Sequence, residues 1–113
     1  MEDCIFCKIV NKEMGKLIYE DDKVAAFNDL NPQAPIHILI VPKVHISTLN
    51  DLTDENSEYI GRLAYAASKI AKEKGISENG YRLIMNCNHD AGQTVFHIHM
   101  HLLGGKPLKE GLA

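Results

Sequence analysis

The stretch Thr94-Val95-Phe96-His97-Ile98-His99-Met100-His101-Leu102-Leu103-Gly104-Gly105 constrains this chain most. Three of the six histidines occupy alternate positions in it, with apolar residues between them. Alternation with period two is the pattern of a β-strand, whose successive side chains leave from opposite faces. The spacing predicts a strand through the whole stretch. His97, His99 and His101 then share one face at intervals of about 6.5–7 Å, while Ile98, Met100 and Leu102 turn to the other face and reach the core. Three chemistries fit such a row. One is a solvated strand face rich in histidine. Another is a metal site, since His-x-His pairs on strands suit zinc. The third is a nucleophilic imidazole with its neighbours as helpers.

The remaining chain supplies a scaffold for that strand. Ile36-His37-Ile38-Leu39-Ile40-Val41 is nearly continuous in apolar residues and predicts a central strand that stops at Pro42, which lacks a donor. Leu17-Ile18-Tyr19-Glu20 and Lys23-Val24-Ala25-Ala26-Phe27 flank Asp21-Asp22 and read as a hairpin. Asn31-Pro32-Gln33-Ala34-Pro35 reads as a loop. A long helix is predicted from Thr53, a candidate N-cap, with Asp54, Glu55 and Glu58 at its positive end. Ile60, Leu63, Ala64, Ala67, Ile70 and Ala71 repeat at helical spacing, Lys69, Lys72 and Lys74 suit the negative end, and Gly75 stops it after about 31 Å. Tyr81–Asn86 is a further strand, and Cys4–Val10 a short helical turn. Strands that follow one another with few helices between favour an antiparallel sheet, hence the α+β class.

Length and composition set the outer limits. A chain of 113 residues predicts one domain, 1–113. With 45% hydrophobic and 24% charged residues it reads as a soluble globular protein. The net charge of −3 and the lack of a basic block disfavour nucleic acid as a partner. No apolar run approaches the roughly 18 residues of a membrane span. Met1-Glu2-Asp3 is not the start of a secretory signal, so the expected compartment is the cytoplasm. Three cysteines, an odd number, argue against a disulfide framework.

His97-Ile98-His99-Met100-His101-Leu102-Leu103 resembles the signature of the histidine triad (HIT) superfamily, in which three histidines alternate with apolar residues. Ala91-Gly92-Gln93-Thr94-Val95-Phe96 before it and Leu103-Gly104-Gly105-Lys106 after it resemble the Hint branch, the purine nucleoside phosphoramidases. So do Phe27-Asn28-Asp29-Leu30-Asn31-Pro32-Gln33-Ala34-Pro35-Ile36-His37 and Val41-Pro42-Lys43-Val44-His45-Ile46. The likeness runs from about Ile5 to Lys106. It implies a HIT-like fold: a five-stranded antiparallel sheet with one long helix and a short N-terminal helix, assembled as a homodimer that joins two sheets edge to edge.

The resemblance also implies an activity: hydrolysis of the P–N bond of purine nucleoside 5′-phosphoramidates through a nucleotidyl-histidine, releasing the nucleoside monophosphate. A diadenosine polyphosphate hydrolase of the same superfamily, or a nucleotide-binding interaction module with little turnover, are the alternatives. An imidazole with an ordinary pKa of about 6.5 is a competent nucleophile near neutral pH. After attack on phosphorus its ring is positive, and an acceptor at the other nitrogen fixes the tautomer and stabilises that cation, the orienting logic of a serine triad. By resemblance His99 is the nucleophile, His101 contacts the α-phosphate or the leaving group, His97 anchors the row, and His37 lies beneath the nucleophile at the floor of the site. Thr94 stands where the branch has serine and keeps the hydroxyl. Asn86 and the backbone around Gly92, Gln93 and Val95 match phosphate-contacting positions. Asp29 matches the ribose acceptor, and Phe6, Ile9, Phe27 and Leu30 match the base-binding wall.

Cys4 and Cys7 form a Cys-x-x-Cys. A redox dithiol, two buried thiols without further purpose, and half of a zinc site are the three readings of that pair. Bacterial triad proteins with the same pair complete a structural zinc site with two histidines, and the matching residues here are His45 and His97. Animal members often lack the cysteines, so the metal is not required for the chemistry.

Overall fold

A computed structural model of the protein describes residues 3–111. Met1, Glu2, Leu112 and Ala113, which the expectations of an acidic start and of one domain over 1–113 include, lie outside them. The first element is α1 (Ile5–Val10), the short N-terminal helix expected, capped by the Cys4 Sγ that accepts from the Cys7 N–H. The hairpin follows as β1 (Tyr19–Glu20) and β2 (Val24–Asn28). Asp21 ties its turn, accepting at Oδ1 from the N–H groups of Lys23 and Val24 at 2.8 and 2.9 Å. Then come β3 (Ile36–Pro42), α2 (Glu58–Glu73), β4 (Tyr81–Ile84) and β5 (Met100–Gly104).

The five strands lie in the order β1-β2-β3-β5-β4, every neighbouring pair antiparallel. The strand formed last in sequence is inserted between β3 and β4, which therefore run parallel to each other, joined by the crossover through α2. Alternation along β2, β3 and β5 sends two sets of side chains to two faces. Val24, Ala26, Ile38, Ile40, Met100 and Leu102 pack against Leu63, Ala66, Ala67, Ile70 and Ala71 of α2. Ala25, Phe27, Leu39 and Val41 pack on the opposite face against Phe6 and Val10 of α1. Alanines at three of the buried α2 positions hold the helix close to the sheet.

Several boundaries differ from those the sequence predicts, among them the start of β1, which leaves out Leu17 and Ile18. The histidine strand begins at Met100, so His97 and His99 precede it. The last registered pair is Ile40 with Met100; the next but one would oppose Ile98 to Pro42, which has no N–H to donate. The Pro42 carbonyl is taken by the His97 ring and the Ile98 N–H goes to the Ile46 carbonyl at 2.7 Å, so the segment arches away instead of pairing. Thr53 does cap a turn, accepting from Asn56 N–H at 3.2 Å while Asn56 Oδ1 accepts from the Thr53 N–H. The bonds then shorten to i→i−3 at Tyr59 and Ile60, and the regular helix starts only at Glu58. β4 ends at Ile84 and leaves Met85 and Asn86 outside the sheet.

Gly104 closes β5 in close contact with the helix side: a Cβ there would lie 2.7 Å from Ile76 Cδ1, whose side chain would have to shift. Gly105 follows at φ +94°, a left-handed conformation that turns the chain off the sheet.

Candidate active site

His97, His99 and His101 all reach the α1 side of the sheet, although only His101 stands on a regular strand. Their surroundings separate them. His97 is fully buried, and its Nε2–H donates to the Pro42 carbonyl at 2.9 Å. Burial pushes its pKa down to about 4, with that carbonyl pulling up and His45 and His99 pushing down. The ring is therefore neutral at pH 7 and directs the lone pair of Nδ1 at Cys4 Sγ (3.3 Å) and Cys7 Sγ (3.4 Å). His45 Nδ1 lies 3.3 Å from Cys7 Sγ, with its Nε2 on Ser47 Oγ.

These four donor atoms lie within 4.8 Å of one another. Their close separations match the edges of a tetrahedron with metal bonds of 2.0–2.3 Å, about 3.3–3.8 Å. Two thiols, two imidazoles and a histidine tautomer fixed by a backbone carbonyl make a donor set that fits a divalent metal. Burial and the neighbouring Cys4 raise the Cys7 thiol to about 11, so metal binding must displace its proton.

His99 is also buried, with its Nδ1–H donating to the carbonyl of His97 at 2.9 Å. That bond leaves Nε2 as a lone pair. The His99 ring lines a cavity of about 430 Å³ shared with His101, in the size range of small-molecule sites. Phe6 meets His99 edge-on, centroids 5.1 Å apart and planes at 88°, and forms the floor below it. His37 hydrogen-bonds with His101: Nε2 to Nδ1 is 2.9 Å, and Asp29 Oδ2 stands 3.3 Å from the same Nε2. Asp29, His37 and His101 have the ligand count for a second metal. Their tautomer opposes it. The Gln33 N–H donates to His37 Nδ1 at 3.0 Å, so the neutral ring keeps its proton on Nε2, the nitrogen a metal would need.

The cavity brings together Phe6, Ile9, Phe27, Asp29, Leu30, Thr94, Val95, His99 and His101. Leu30 is fully exposed at its rim. His37, His97, Asn86, Gly92 and Gln93 are not among the lining residues. Gln93 is buried as a brace, donating from Nε2 to the Ser47 and Val95 carbonyls and accepting the Asn88 N–H at Oε1. The amides of Gly92 and Gln93 are already spent on His89 and Asn88, whereas those of Thr94 and Val95 have no partner among the described residues. Sequence reasoning missed Ile5, Gly15, Lys16, Ile18, Asn28 and Leu39 in the wall. Leu39 was within reach, because it alternates with His37 on β3; Gly15 and Lys16 carry no local signal and arrive through the loop after α1.

A sheet that turns bare imidazole nitrogens into a partly open hollow, beside a thiol–imidazole cluster, defines a histidine-centred α+β domain of the triad class. Comparison with known proteins narrows it. The family model described as HIT domain matches residues 11–108. The chain is 53% identical over 113 residues to the purine nucleoside phosphoramidase of Escherichia coli K12, covering 99% of this chain and 95% of that protein. A histidine triad protein from Clostridium difficile superposes with a TM-score of 0.95 at 50% identity, covering 99% and 98% of the two chains. A HIT family hydrolase from Legionella pneumophila gives 0.91 at 47%, covering 95% and 96%. The chain belongs to the HIT domain family.

Proposed function

We propose that the protein hydrolyses purine nucleoside 5′-phosphoramidates to the nucleoside monophosphate and an amine. The observation that carries this reading is the His99 ring, held by its Nδ1–H on a backbone carbonyl with Nε2 free at the cavity wall. The lone pair of Nε2 attacks phosphorus, a P–Nε2 bond forms, and the P–N bond of the substrate breaks. The amine leaves with the bonding pair and takes a proton from solvent. The positive ring keeps its Nδ1–H on the His97 carbonyl, a bond that strengthens as charge develops. Water then attacks phosphorus, the P–Nε2 bond breaks, and the surplus proton passes to solvent. Thr94 Oγ1 and the free amides of Thr94 and Val95 hold phosphoryl oxygens, and His101 donates toward the phosphoryl or leaving group. Asp29 accepts from the ribose hydroxyls, while Phe6, Ile9, Phe27 and Leu30 pack on the base.

In the same reading Cys4, Cys7, His45 and His97 hold a structural zinc, which supplies a rigid anchor for α1 and for the residue two places before the nucleophile. Residues 1–113 are one domain, supported by two apolar clusters that share a single sheet. The edge strand β4, half-buried at all four positions, supports a homodimer joined through it. Three unpaired cysteines support a reducing, cytoplasmic setting; no helix among the described residues is long and apolar enough to cross a membrane.

The test is turnover of an adenosine phosphoramidate and of a diadenosine polyphosphate by wild type and His99→Ala, with and without a chelator. The phosphoramidate is expected to be the better substrate, and the variant to lose at least about 100-fold. Undiminished turnover by the variant ends the nucleophile assignment.

A further inference from the structure

The loop before β3 contributes one backbone group to the histidine cluster, and that group has a fixed polarity. The Gln33 N–H can only donate, so His37 Nδ1 accepts and the proton of the neutral ring sits on Nε2. Nε2 faces His101 Nδ1 at 2.9 Å, which makes that nitrogen an acceptor in turn. The proton of His101 is then on its own Nε2. This nitrogen has no partner among the described residues, and the ring lines the cavity beside His99, centroids 5.1 Å apart. Burial lowers the pKa of both His37 and His101, so neutral tautomers are the relevant species near pH 7.

We infer that the Gln33 amide, relayed through His37, fixes His101 as the Nε2–H tautomer, so that His37 is a positioning residue that turns His101 into a hydrogen-bond donor at the cavity wall. The inference rests on the reading of the cavity as a phosphoramidate site and deepens it: the group met by His101 is an acceptor, a phosphoryl oxygen or the lone pair of the departing nitrogen. Asp29 competes for the same His37 proton. Its Oδ1 is held by the Asn31 N–H at 2.8 Å, which leaves Oδ2, 3.3 Å from His37, to turn either to His37 or to a hydroxyl in the cavity. A sugar hydroxyl that engages Oδ2 leaves the proton of His37 wholly to His101. Recognition of the sugar and the donor strength of His101 are thereby linked through one hydrogen atom.

Two substitutions separate this relay from mere packing. His37→Gln keeps the pattern, accepting from Gln33 through Oε1 and donating to His101 through Nε2. His37→Glu offers only acceptors and turns His101 to the Nδ1–H form. Long-range ¹H–¹⁵N spectra of the full chain read the tautomer directly, independent of any turnover. The expected result is Nε2–H for His101 in wild type and in His37→Gln, and Nδ1–H in His37→Glu. With adenosine phosphoramidate, kcat is expected within about tenfold of wild type for the Gln variant and about 100-fold down for the Glu variant, with KM changed much less. An Nδ1–H signal for His101 in wild type overturns the relay without need of either variant, as does equal kcat in the two variants. A wild type that shows the Nε2–H signal yet turns over no phosphoramidate supports the relay and refutes the functional reading instead.

Discussion

His101 lies in an environment that opposes protonation, and this makes a prediction about acid. Burial comes first among the causes, followed by His99 and His37, and together they push its pKa down to about 4 against the upward pull of Asp29. The unfolded chain titrates near 6.5, so between about pH 6.5 and about pH 4 it binds more protons than the folded one. The stability due to a neutral His101 is complete above about 6.5 and is lost as pH falls through that window. Urea midpoints at several pH values are expected to drop across it, and less steeply in His101→Gln; parallel curves would refute the assignment. Thr94 makes a second residue-scale prediction. Thr94→Val keeps the shape and removes the hydroxyl, and loss of a bond to a charged phosphoryl oxygen costs about 1.5–3 kcal/mol, roughly 10- to 100-fold in turnover. Thr94→Ser is expected to stay near wild type.

At the scale of elements, α1 connects the two clusters of chemistry. Cys4 and Cys7 bracket Phe6, which meets His97 at 6.0 Å and His99 at 5.1 Å between ring centroids. A metal held by the cysteines would therefore clamp the ring that packs against the proposed nucleophile. Cys7→Ser is expected to lower bound zinc from about one per chain to well below that, to lower Tm, and to leave measurable turnover. Full zinc content in the variant, read by elemental analysis, would remove Cys7 from the ligand set. On the other face, α2 packs on the sheet through its apolar side chains. Leu63 is fully buried among β-strand side chains, and Leu63→Ala is expected to destabilise by about 2–5 kcal/mol in urea titration. His99 stands on the far side of the sheet, so turnover of the folded fraction should change little.

For the whole molecule, the sheet ends at β4 with an unpaired edge, and the proposed dimer covers it. Sedimentation is expected to give twice the chain mass of 12.6 kDa; a monomer at micromolar concentration would leave that edge to another explanation. Much of the architecture was legible in the chain: the nearly continuous apolar run Ile36–Val41, period two around the histidines, period 3.6 from Ile60 to Ala71, and the acidic turn at Asp21. Local spacing decides which side chains share a face, because backbone geometry repeats every two or 3.6 residues wherever the chain is regular. His99, His101 and the cysteine pair became candidate site residues through the resemblance of their motifs to the triad family, on top of that spacing. Spacing does not carry register between distant strands. Opposing Ile40 to Met100 brought Pro42 to the end of the histidine strand and stopped it there. The same register set His37 against His101 instead of under His99, and joined His97 to cysteines ninety or more residues away. Hydrogen bonds between such partners exist only after the sheet has closed, so the tautomers on which the chemistry depends were decided by tertiary structure, while the identities of the groups that carry it were already written in the chain.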